Sequence, residues 1–257
     1  IGYLPPKNAG KIQFEYVSAN PTGSLHVGHG RGAAVGSALV NLFRAAGFDV
    51  ESEFYINDAG NQMENLALSV EARYLELLGI AAEFPENGYH GVDIIETAQK
   101  IIDRDGRKYL EMNREDRLKI FQDLAYAEKL DQLKTDLADF RVTFDKWFSE
   151  RTLHPQAVKN AIEILKSNGS IYEKDGALWL KSTDYGDDQD RVVIRDNGVP
   201  TYLAADIAYH KNKFERGFAK MINLWGADHH GYIARVKAAM SALGFDSEKL
   251  QIILLQM

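Results

Sequence analysis

At both ends of the chain, short segments in which apolar and polar residues alternate, as in β-strands, lie next to helical segments. This order of segments restricts the possible folds more than any other feature of the sequence. Residues 11–17 and 49–56 are predicted strands on either side of a helix predicted at about 27–46. Near the other end, predicted helices alternate with predicted strands at 220–225 and 251–255. Strands joined through helices run parallel, because a parallel pair needs a long crossover connection. The predicted fold class is therefore α/β with a parallel sheet.

The middle of the chain has a different pattern, in which charged residues recur with helical periodicity. A strand pair is predicted at 176–180 and 191–195, on either side of an acidic loop. This pattern predicts a mostly helical insertion between two halves of the α/β part, with domain limits at 1–60, 61–196 and 197–257. The further helices are predicted at 62–78, 92–104, 114–140, 154–167, 202–214 and 230–243.

Composition and charge exclude several classes of protein. The 257 residues contain no cysteine, so disulfides, cysteine-ligated zinc or iron–sulfur sites and thiol nucleophiles are excluded. Lys and Arg number 30 against 37 Asp and Glu, a net charge of −7, so any nucleic-acid contact would need a local patch. No apolar run approaches the roughly 20 residues of a membrane helix, and the first residues lack the pattern of a signal peptide. We therefore expect no membrane association.

The two ends have the pattern of a segment cut from a longer protein. The chain starts at Ile1 without an initiator Met. It closes on a hydrophobic, strand-like run at 250–257, with no turn or cap after it. We therefore expect these residues to be an excised part of a longer protein.

An unusual cluster of residues follows the first predicted strand. Residues 18–24 are rich in turn formers, and His26, Gly28 and His29 follow at the start of the predicted helix. In doubly wound sheets, ligands bind beyond the carboxyl ends of the strands, and a helix N-terminus suits phosphate. The two histidines are three residues apart and share one helix face, where both can donate to phosphate oxygens. Gly28 leaves room for a planar ring to approach the backbone. The cluster thus predicts a nucleotide phosphate site.

Other interpretations of this segment remain open from the residues alone. The two histidines could be ordinary surface residues or half of a metal site. A G-x-G-x-x-A pattern that starts at Gly28 also matches the dinucleotide-binding fingerprint, with Glu51 or Glu53 about 20 residues further on. That fingerprint places its first glycine directly after a strand, whereas Gly28 lies eleven positions after Val17. The spacing therefore argues against a dinucleotide site.

Five segments together resemble one family. His26-Val27-Gly28-His29 resembles the HIGH motif of class I aminoacyl-tRNA synthetases, and the surrounding residues resemble the bacterial arginyl-tRNA synthetases. The segments follow the order found in that family, so their combination is far more specific than HVGH alone. This resemblance implies a class I catalytic core with a Rossmann-like parallel sheet, divided by the mostly helical insertion. The segments are 14–23 with 26–33, 55–62, 201–210, 225–232 and 255–257.

The resemblance implies a set of ATP-binding residues. His26 and His29 would be the catalytic residues, which bind the phosphates and stabilise the transition state at the α-phosphate. Gly28 would lie against adenine, and a segment around residue 228 would contact the adenosine. The implied ATP-binding set is Asn20, Pro21, Thr22, Gly23, His26, Gly28, His29, Gly226, Asp228 and His229.

The resemblance also implies an arginine site, in which Tyr202 and Asp206 form the guanidinium pocket. The residue types fit, because positions i and i+4 share a helix face and a carboxylate accepts two parallel hydrogen bonds from a guanidinium. A lysine ammonium cannot reproduce that geometry, and a tyrosine can stack on the guanidinium plane. From the residues alone, an ordinary helix with an exposed aspartate is the favoured alternative. Glu15, Ser18 and Asn20 complete the implied site at the α-amino and carboxylate groups.

The implied activity is that of an arginine–tRNA ligase, a cytoplasmic and monomeric enzyme that acts on L-arginine, ATP with Mg²⁺, and tRNA(Arg). No dedicated protein site for Mg²⁺ is recognisable. The family's second motif, KMSKS, would follow the strand near Met257, where the sequence ends, so we expect these residues to be inactive or weakly active alone. Two alternatives stay open: a non-catalytic fragment that binds arginine or ATP, and another nucleotidyltransferase with an HxGH motif.

Overall fold

The computed structural model of the chain describes residues 4–256, so the expectations for Ile1 and Met257 lie outside the described residues. The helices are α1 (Val27–Ala45), α2 (Asn61–Leu77), α3 (Val92–Asp105), α4 (Arg114–Asp139), α5 (Gln156–Ser167), α6 (Tyr202–Glu215) and α7 (Ile233–Ala242). The strands are β1 (Ile12–Glu15), β2 (Val50–Ile56), β3 (Lys146–Ser149), β4 (Ile171–Lys174), β5 (Ala177–Leu180), β6 (Arg191–Ile194), β7 (Lys220–Gly226) and β8 (Leu250–Leu255).

The central sheet has the strand order β3-β2-β1-β7-β8. β1 is parallel to β2 on one side and to β7 on the other, with Ile12 opposite both Val50 and Lys220. β7 is in turn parallel to β8. α1 connects β1 to β2, and α7 connects β7 to β8 on the other side of β1. The winding direction therefore changes between β1 and β7. The predicted α/β class with parallel strands is confirmed.

The close packing of α1 against the end of β1 depends on a glycine. A Cβ atom added at Gly36 would lie 2.3 Å from the ring of Tyr16, which is buried. Glycine therefore allows the helix to approach the strand more closely than any other residue could. Phe14 of β1 is also buried and meets Phe43 of α1 edge to face, with 5.1 Å between ring centroids. These contacts fix α1 against the end of β1.

Two short strands differ from the predictions. β4 turns the predicted strand pair into a three-stranded sheet of order β4-β5-β6, with Tyr172 opposite Trp179. β3 lies at the edge of the central sheet, where Trp147 stacks on Phe54 with 4.5 Å between ring centroids. Each of these strands has four residues, too few for a period of two to be recognised. Both segments adopt the strand conformation because they pair with a neighbouring strand.

The contacts within the chain divide it into two units. The first, called the sheet unit, consists of the residues up to Ser18, Val27–Tyr55 and the residues from Phe144 onward. The second, called the helical unit, consists of Ala19–His26 and Ile56–Thr143, and α2, α3 and α4 form its core. By this criterion α5 and the three-stranded sheet belong to the sheet unit. The domain limits predicted from the sequence, at residues 60 and 196, remain a prediction.

Helix α6 of the sheet unit is buried along most of its length. Leu203 and Ile207 pack into a core shared with α5 and α7. Tyr209, His210 and Lys213 of the same helix are buried as well. Buried polar side chains need hydrogen-bond partners, and these partners come largely from the strands of the central sheet.

Candidate active site beyond the carboxyl ends of β1 and β7

The change of winding direction between β1 and β7 marks the position at which doubly wound sheets bind their ligands. β1 ends at Glu15 and β7 ends at Gly226, and a binding role is predicted for both residues. The segments that follow these strands contain Ser18, Asp228 and His229. The fold therefore brings two distant parts of the predicted site to one edge of the sheet.

The backbone directly after β1 has an unusual conformation. Val17 has φ 68° and Ser18 has φ 44°. Residues other than glycine, above all β-branched ones, avoid this region, at a cost on the order of 1–3 kcal/mol each. Ser18 Oγ donates to Glu15 Oε1 at 3.0 Å and accepts from the Tyr55 amide at 3.1 Å. The strained turn thus holds the Ser18 hydroxyl between β1 and β2 and orients Glu15.

A buried polar network connects Glu15 to α6. Lys213 Nζ donates to Glu15 Oε2 and, at 2.9 Å, to Asn223 Oδ1 of β7. The amide nitrogen of Asn223 therefore faces His210 Nε2, at 3.0 Å, and donates to it. His210 Nδ1 in turn lies 2.9 Å from the backbone oxygen of Asp206, so this nitrogen carries the proton. Burial and the charge of Lys213 lower the pKa of His210 to about 3, and the ring stays neutral.

Asp206 lies in the second turn of α6 and is partly exposed. Burial raises the pKa of Asp206 to about 7, a hydrogen bond donated by Tyr232 Oη opposes this rise, and the carboxylates of Glu150 and Glu15 add to it. One helical turn earlier, Tyr202 is 65% exposed. Asp206 thus lies in a negative field that a cationic ligand would neutralise.

Sequence reasoning missed several residues of this region. Glu150 is buried and directly follows β3. Burial and the nearby Glu150 carboxylate raise the pKa of Tyr55 well above its usual value. No sequence signal identifies Glu150, because β3 itself is not recognisable. A signal exists for His210 and Lys213, which follow Asp206 by four and seven positions and therefore share its face of the helix.

The start of α1 has the features of an anion site. Gly28 and His29 lie in its first turn, which contains no acidic residue. The N–H groups and the dipole of a helix N-terminus attract phosphate. The position is also the one that the strand order requires, because α1 begins beyond the carboxyl end of β1.

The chain after β7 forms a 3₁₀-helical turn, Ala227–Tyr232, so α7 begins three residues after the predicted start at His230. The side chains of Asp228 and His229 are 81% and 55% exposed, with 3.1 Å between Oδ1 and Nδ1. A Cβ atom added at Gly226 would lie 2.5 Å from Asp228 Oδ1. Glycine therefore lets the Asp228 carboxylate lie close to the end of the strand. The turn leaves both side chains accessible to a ligand.

The remaining predicted ATP-binding residues belong to the helical unit, which contains Ala19–His26. Pro21 is buried, whereas Asn20 and His26 are exposed. Gly23 contributes, with charged side chains of α3 and α4, to a cleft of about 320 Å³. The residues concerned are Asn20, Pro21, Thr22, Gly23 and His26.

Residues 4–256 contain neither a cluster of metal ligands nor a membrane-spanning helix. No three acidic or histidine side chains in that range are placed so that they could hold a metal ion together. In the same part of the chain, no helix combines the length and apolar character needed to cross a membrane.

Comparisons with known proteins connect this geometry to one family. The sequence model of the family described as tRNA synthetases class I (R), catalytic domain, matches residues 5–256. The arginine–tRNA ligase of Anoxybacillus flavithermus is 56% identical over 248 residues, which cover 96% of this chain and 45% of that protein. The arginine–tRNA ligase of Desulfitobacterium hafniense is 57% identical, over 96% of this chain and 44% of that protein.

Solved structures show the same fold. A Campylobacter jejuni protein described as an arginyl-tRNA synthetase matches with a TM-score of 0.91 at 44% identity, over 98% of this chain and 56% of that one. The Thermus thermophilus arginyl-tRNA synthetase matches with a TM-score of 0.73 at 21% identity, over 100% of this chain and 50% of that one, which supports the fold alone. This chain spans less than half the length of the two curated ligases. The resemblance expected from the motifs is confirmed, and the chain belongs to the family of class I arginyl-tRNA synthetase catalytic domains.

Proposed function

We propose that this chain is the arginine- and ATP-binding part of an arginine–tRNA ligase, which forms arginyl-adenylate and transfers the arginyl group to tRNA(Arg). The environment of Asp206 is the observation that carries this proposal. Burial and two nearby carboxylates raise the pKa of Asp206 to about 7, and the exposed Tyr202 lies one helical turn away. A guanidinium has both the positive charge and the flat surface that fit these two side chains.

The arginine side chain is recognised by its shape as well as by its charge. Asp206 accepts two parallel N–H bonds from the guanidinium, while Tyr202 stacks on its plane or bonds to it. A lysine ammonium is a compact point charge and makes neither contact equally well. Glu15, Ser18 and Asn20 hold the α-ammonium and carboxylate groups at the other end of the amino acid.

ATP is the second proposed substrate. His26, His29 and the N-terminus of α1 hold the phosphates, and adenine lies against Gly28. Mg²⁺ arrives as part of the nucleotide substrate, on the phosphate oxygens. For the whole protein, a cytoplasmic monomer remains the prediction. The further proposed ATP-binding residues are Asn20, Pro21, Thr22, Gly23, Gly226, Asp228 and His229.

The first proposed step forms a bond between a carboxylate oxygen of arginine and the α-phosphorus of ATP. The bond from this phosphorus to the bridging oxygen breaks, and pyrophosphate leaves with the electron pair. N–H donors of His26 and His29 stabilise the charge that develops on the phosphate oxygens. In the second step, the 2′-hydroxyl of the terminal adenosine of tRNA attacks the activated carbonyl, gives up its proton and releases AMP.

Calorimetric titration of the chain with L-arginine, L-lysine and L-citrulline tests the proposal. Citrulline has nearly the shape of arginine, but a neutral urea group replaces the guanidinium. We expect arginine to bind at least about 10-fold more tightly than either of the other two, because lysine cannot make the bidentate contact with Asp206 and citrulline brings no positive charge to it. Equal affinities for the three amino acids would show that the pocket does not recognise a guanidinium, and would overturn the proposal.

A further inference from the structure

A buried ion pair lies next to the proposed arginine site. The side chain of Lys213 is 0% exposed and that of Glu15 is 7% exposed. The Lys213 ammonium donates to Glu15 Oε2 and to Asn223 Oδ1, and it lies 4.5 Å from the centre of the Tyr209 ring. These partners come from β1, β7 and α6, so one ammonium contacts side chains of three elements at the edge of the site.

A contribution to the stability of the fold is a poor explanation for a buried ion pair. The loss of hydration of two buried charges offsets much of their attraction, and apolar residues of similar size often replace a buried pair without loss of stability. The pair does fix an orientation. Lys213 holds Oε2 of Glu15, and the Ser18 hydroxyl holds Oε1 at 3.0 Å. Both oxygens are therefore held in place directly before the strained turn at Val17.

We propose that Lys213 is a positioning residue of the arginine site: its ammonium keeps the Glu15 carboxylate ionised and fixed, so that Glu15 accepts the α-ammonium group of arginine. This inference rests on the proposed function, because it extends the role that Glu15 has there. Lys213 is fully buried, so it acts through Glu15 and not by contact with the ligand. Without Lys213, Glu15 would be an uncompensated buried carboxylate, which takes up a proton and loses its charge and its orientation.

In the described part of the chain, Lys213 is the cation that contacts Glu15, and the groups named below add no positive charge. Ser18 and Asn223 are neutral, and His210 stays neutral because burial lowers its pKa to about 3. The Asp206 carboxyl is an acidic neighbour, whose pKa is raised mainly by burial and further by the charges of Glu150 and Glu15. The facing groups are Ser18 after β1, Tyr55 on β2, Asp206, Tyr209, His210 and Lys213 on α6, and Asn223 on β7.

The substitution Lys213→Met tests the proposal, because it retains a long side chain and removes the charge. In this variant we expect a protonated Glu15 carboxyl near neutral pH, detected by ¹³C NMR and assigned with Glu15→Gln. Arginine affinity should be roughly 10- to 100-fold below that of the unsubstituted chain near neutral pH. The difference should shrink as the pH is raised enough to ionise Glu15, while ATP affinity stays unchanged.

Lys211→Met is the matched control, because Lys211 lies on the same helix and pairs with the exposed carboxylate of Glu215 at 2.6 Å. It should leave both the arginine affinity and the Glu15 signal unchanged. If Lys213→Met does not fold, the double variant Lys213→Met/Glu15→Gln, which removes both charges, replaces it. We expect the double variant to bind arginine as weakly as Glu15→Gln, and binding as tight as that of the unsubstituted chain would overturn the proposal.

Two further outcomes separate this inference from the proposed function. An ionised Glu15 in Lys213→Met, or a loss of arginine affinity that is the same at every pH, would show that Lys213 has a merely structural role and would overturn its positioning role. If the unsubstituted chain does not bind arginine but Glu15 is protonated in Lys213→Met, the proposed function fails. In that case the result still supports the claim that Lys213 keeps the Glu15 carboxylate ionised.

Discussion

At the scale of single residues, the site contains two ionisable groups with different partners. The Lys213 ammonium has Glu15 and Asn223 as acceptors. The Asp206 carboxyl accepts a hydrogen bond from Tyr232, yet burial and neighbouring carboxylates still raise its pKa to about 7. The first charge is thus compensated within the protein, whereas a bound guanidinium would compensate the second.

The affinity for arginine should rise with pH up to about 7 and then level off. Since the pKa of Asp206 is raised to about 7, the carboxyl carries a proton below this pH, and the guanidinium must displace it. Well below the pKa, the affinity should fall about tenfold per pH unit, with release of about one proton. Calorimetry in buffers of different ionisation heat measures both quantities. A constant affinity across this range would contradict the role of Asp206.

Asp206→Asn should weaken arginine binding roughly 10- to 100-fold, because a hydrogen bond to a charged group contributes about 1.5–3 kcal/mol. The fold should be retained, since an amide costs less to bury than an ionised carboxylate. Glu215→Gln is the matched control, because Glu215 is on the same helix and its side chain is 53% exposed. Calorimetry should show a loss of affinity in the first variant and not in the second, and equal losses would argue against a specific contact.

The sequence predicts one part of this site and not the other, for a geometric reason. Tyr202 and Asp206 are four positions apart on one helix, so helical periodicity alone places them on the same face. Lys213 and Glu15 are 198 positions apart, and their contact depends on the strand order of the central sheet. A single sequence contains no local signal for that order.

At the scale of elements, long segments are predictable and short ones are not. The helix predicted at 114–140 corresponds to α4, Arg114–Asp139, because an apolar period repeated over many turns is a strong signal. β3 and β4 have four residues each and lie at the edges of their sheets. Their strand conformation depends on a paired neighbour, and local sequence does not encode it.

Gly36→Ala should destabilise the chain, whereas Gly30→Ala in the same helix should not. The added methyl at residue 36 would lie 2.3 Å from the buried Tyr16 ring, while residue 30 has nothing within 4 Å. Overpacking costs about 1–3 kcal/mol, whereas alanine in an open helical position gains up to about 1 kcal/mol over glycine. Urea unfolding of both variants measures the difference. A stabilising effect of both substitutions would contradict the close packing of α1 on β1.

At the scale of the whole molecule, these residues contain the proposed substrate-binding groups but span less than half the length of the related ligases. The net charge of −7 is also unfavourable for binding the phosphates of a tRNA. We therefore expect this chain to bind arginine and ATP without efficient turnover.

Arginine-dependent exchange of pyrophosphate into ATP should be at least about 100-fold slower with this chain than with a full-length arginine–tRNA ligase, even when tRNA(Arg) is present. Each group that stabilises developing charge contributes about 10²–10³ to turnover, and this chain spans less than half the length of the related ligases. Radiolabelled pyrophosphate measures the exchange in both proteins. A rate close to that of the full-length enzyme would refute the expected impairment and leave the substrate assignment in place.

The affinity for a non-hydrolysable arginyl-adenylate analogue, compared with that for the lysyl-adenylate analogue, tests the proposed function most directly. The two ligands share the adenosine and the phosphate mimic, and they differ in the amino-acid side chain alone. We expect the arginyl analogue to bind at least about 100-fold more tightly, because the bidentate contact with Asp206 is lost with lysine. Equal affinities, or tighter binding of the lysyl analogue, would contradict the proposed function.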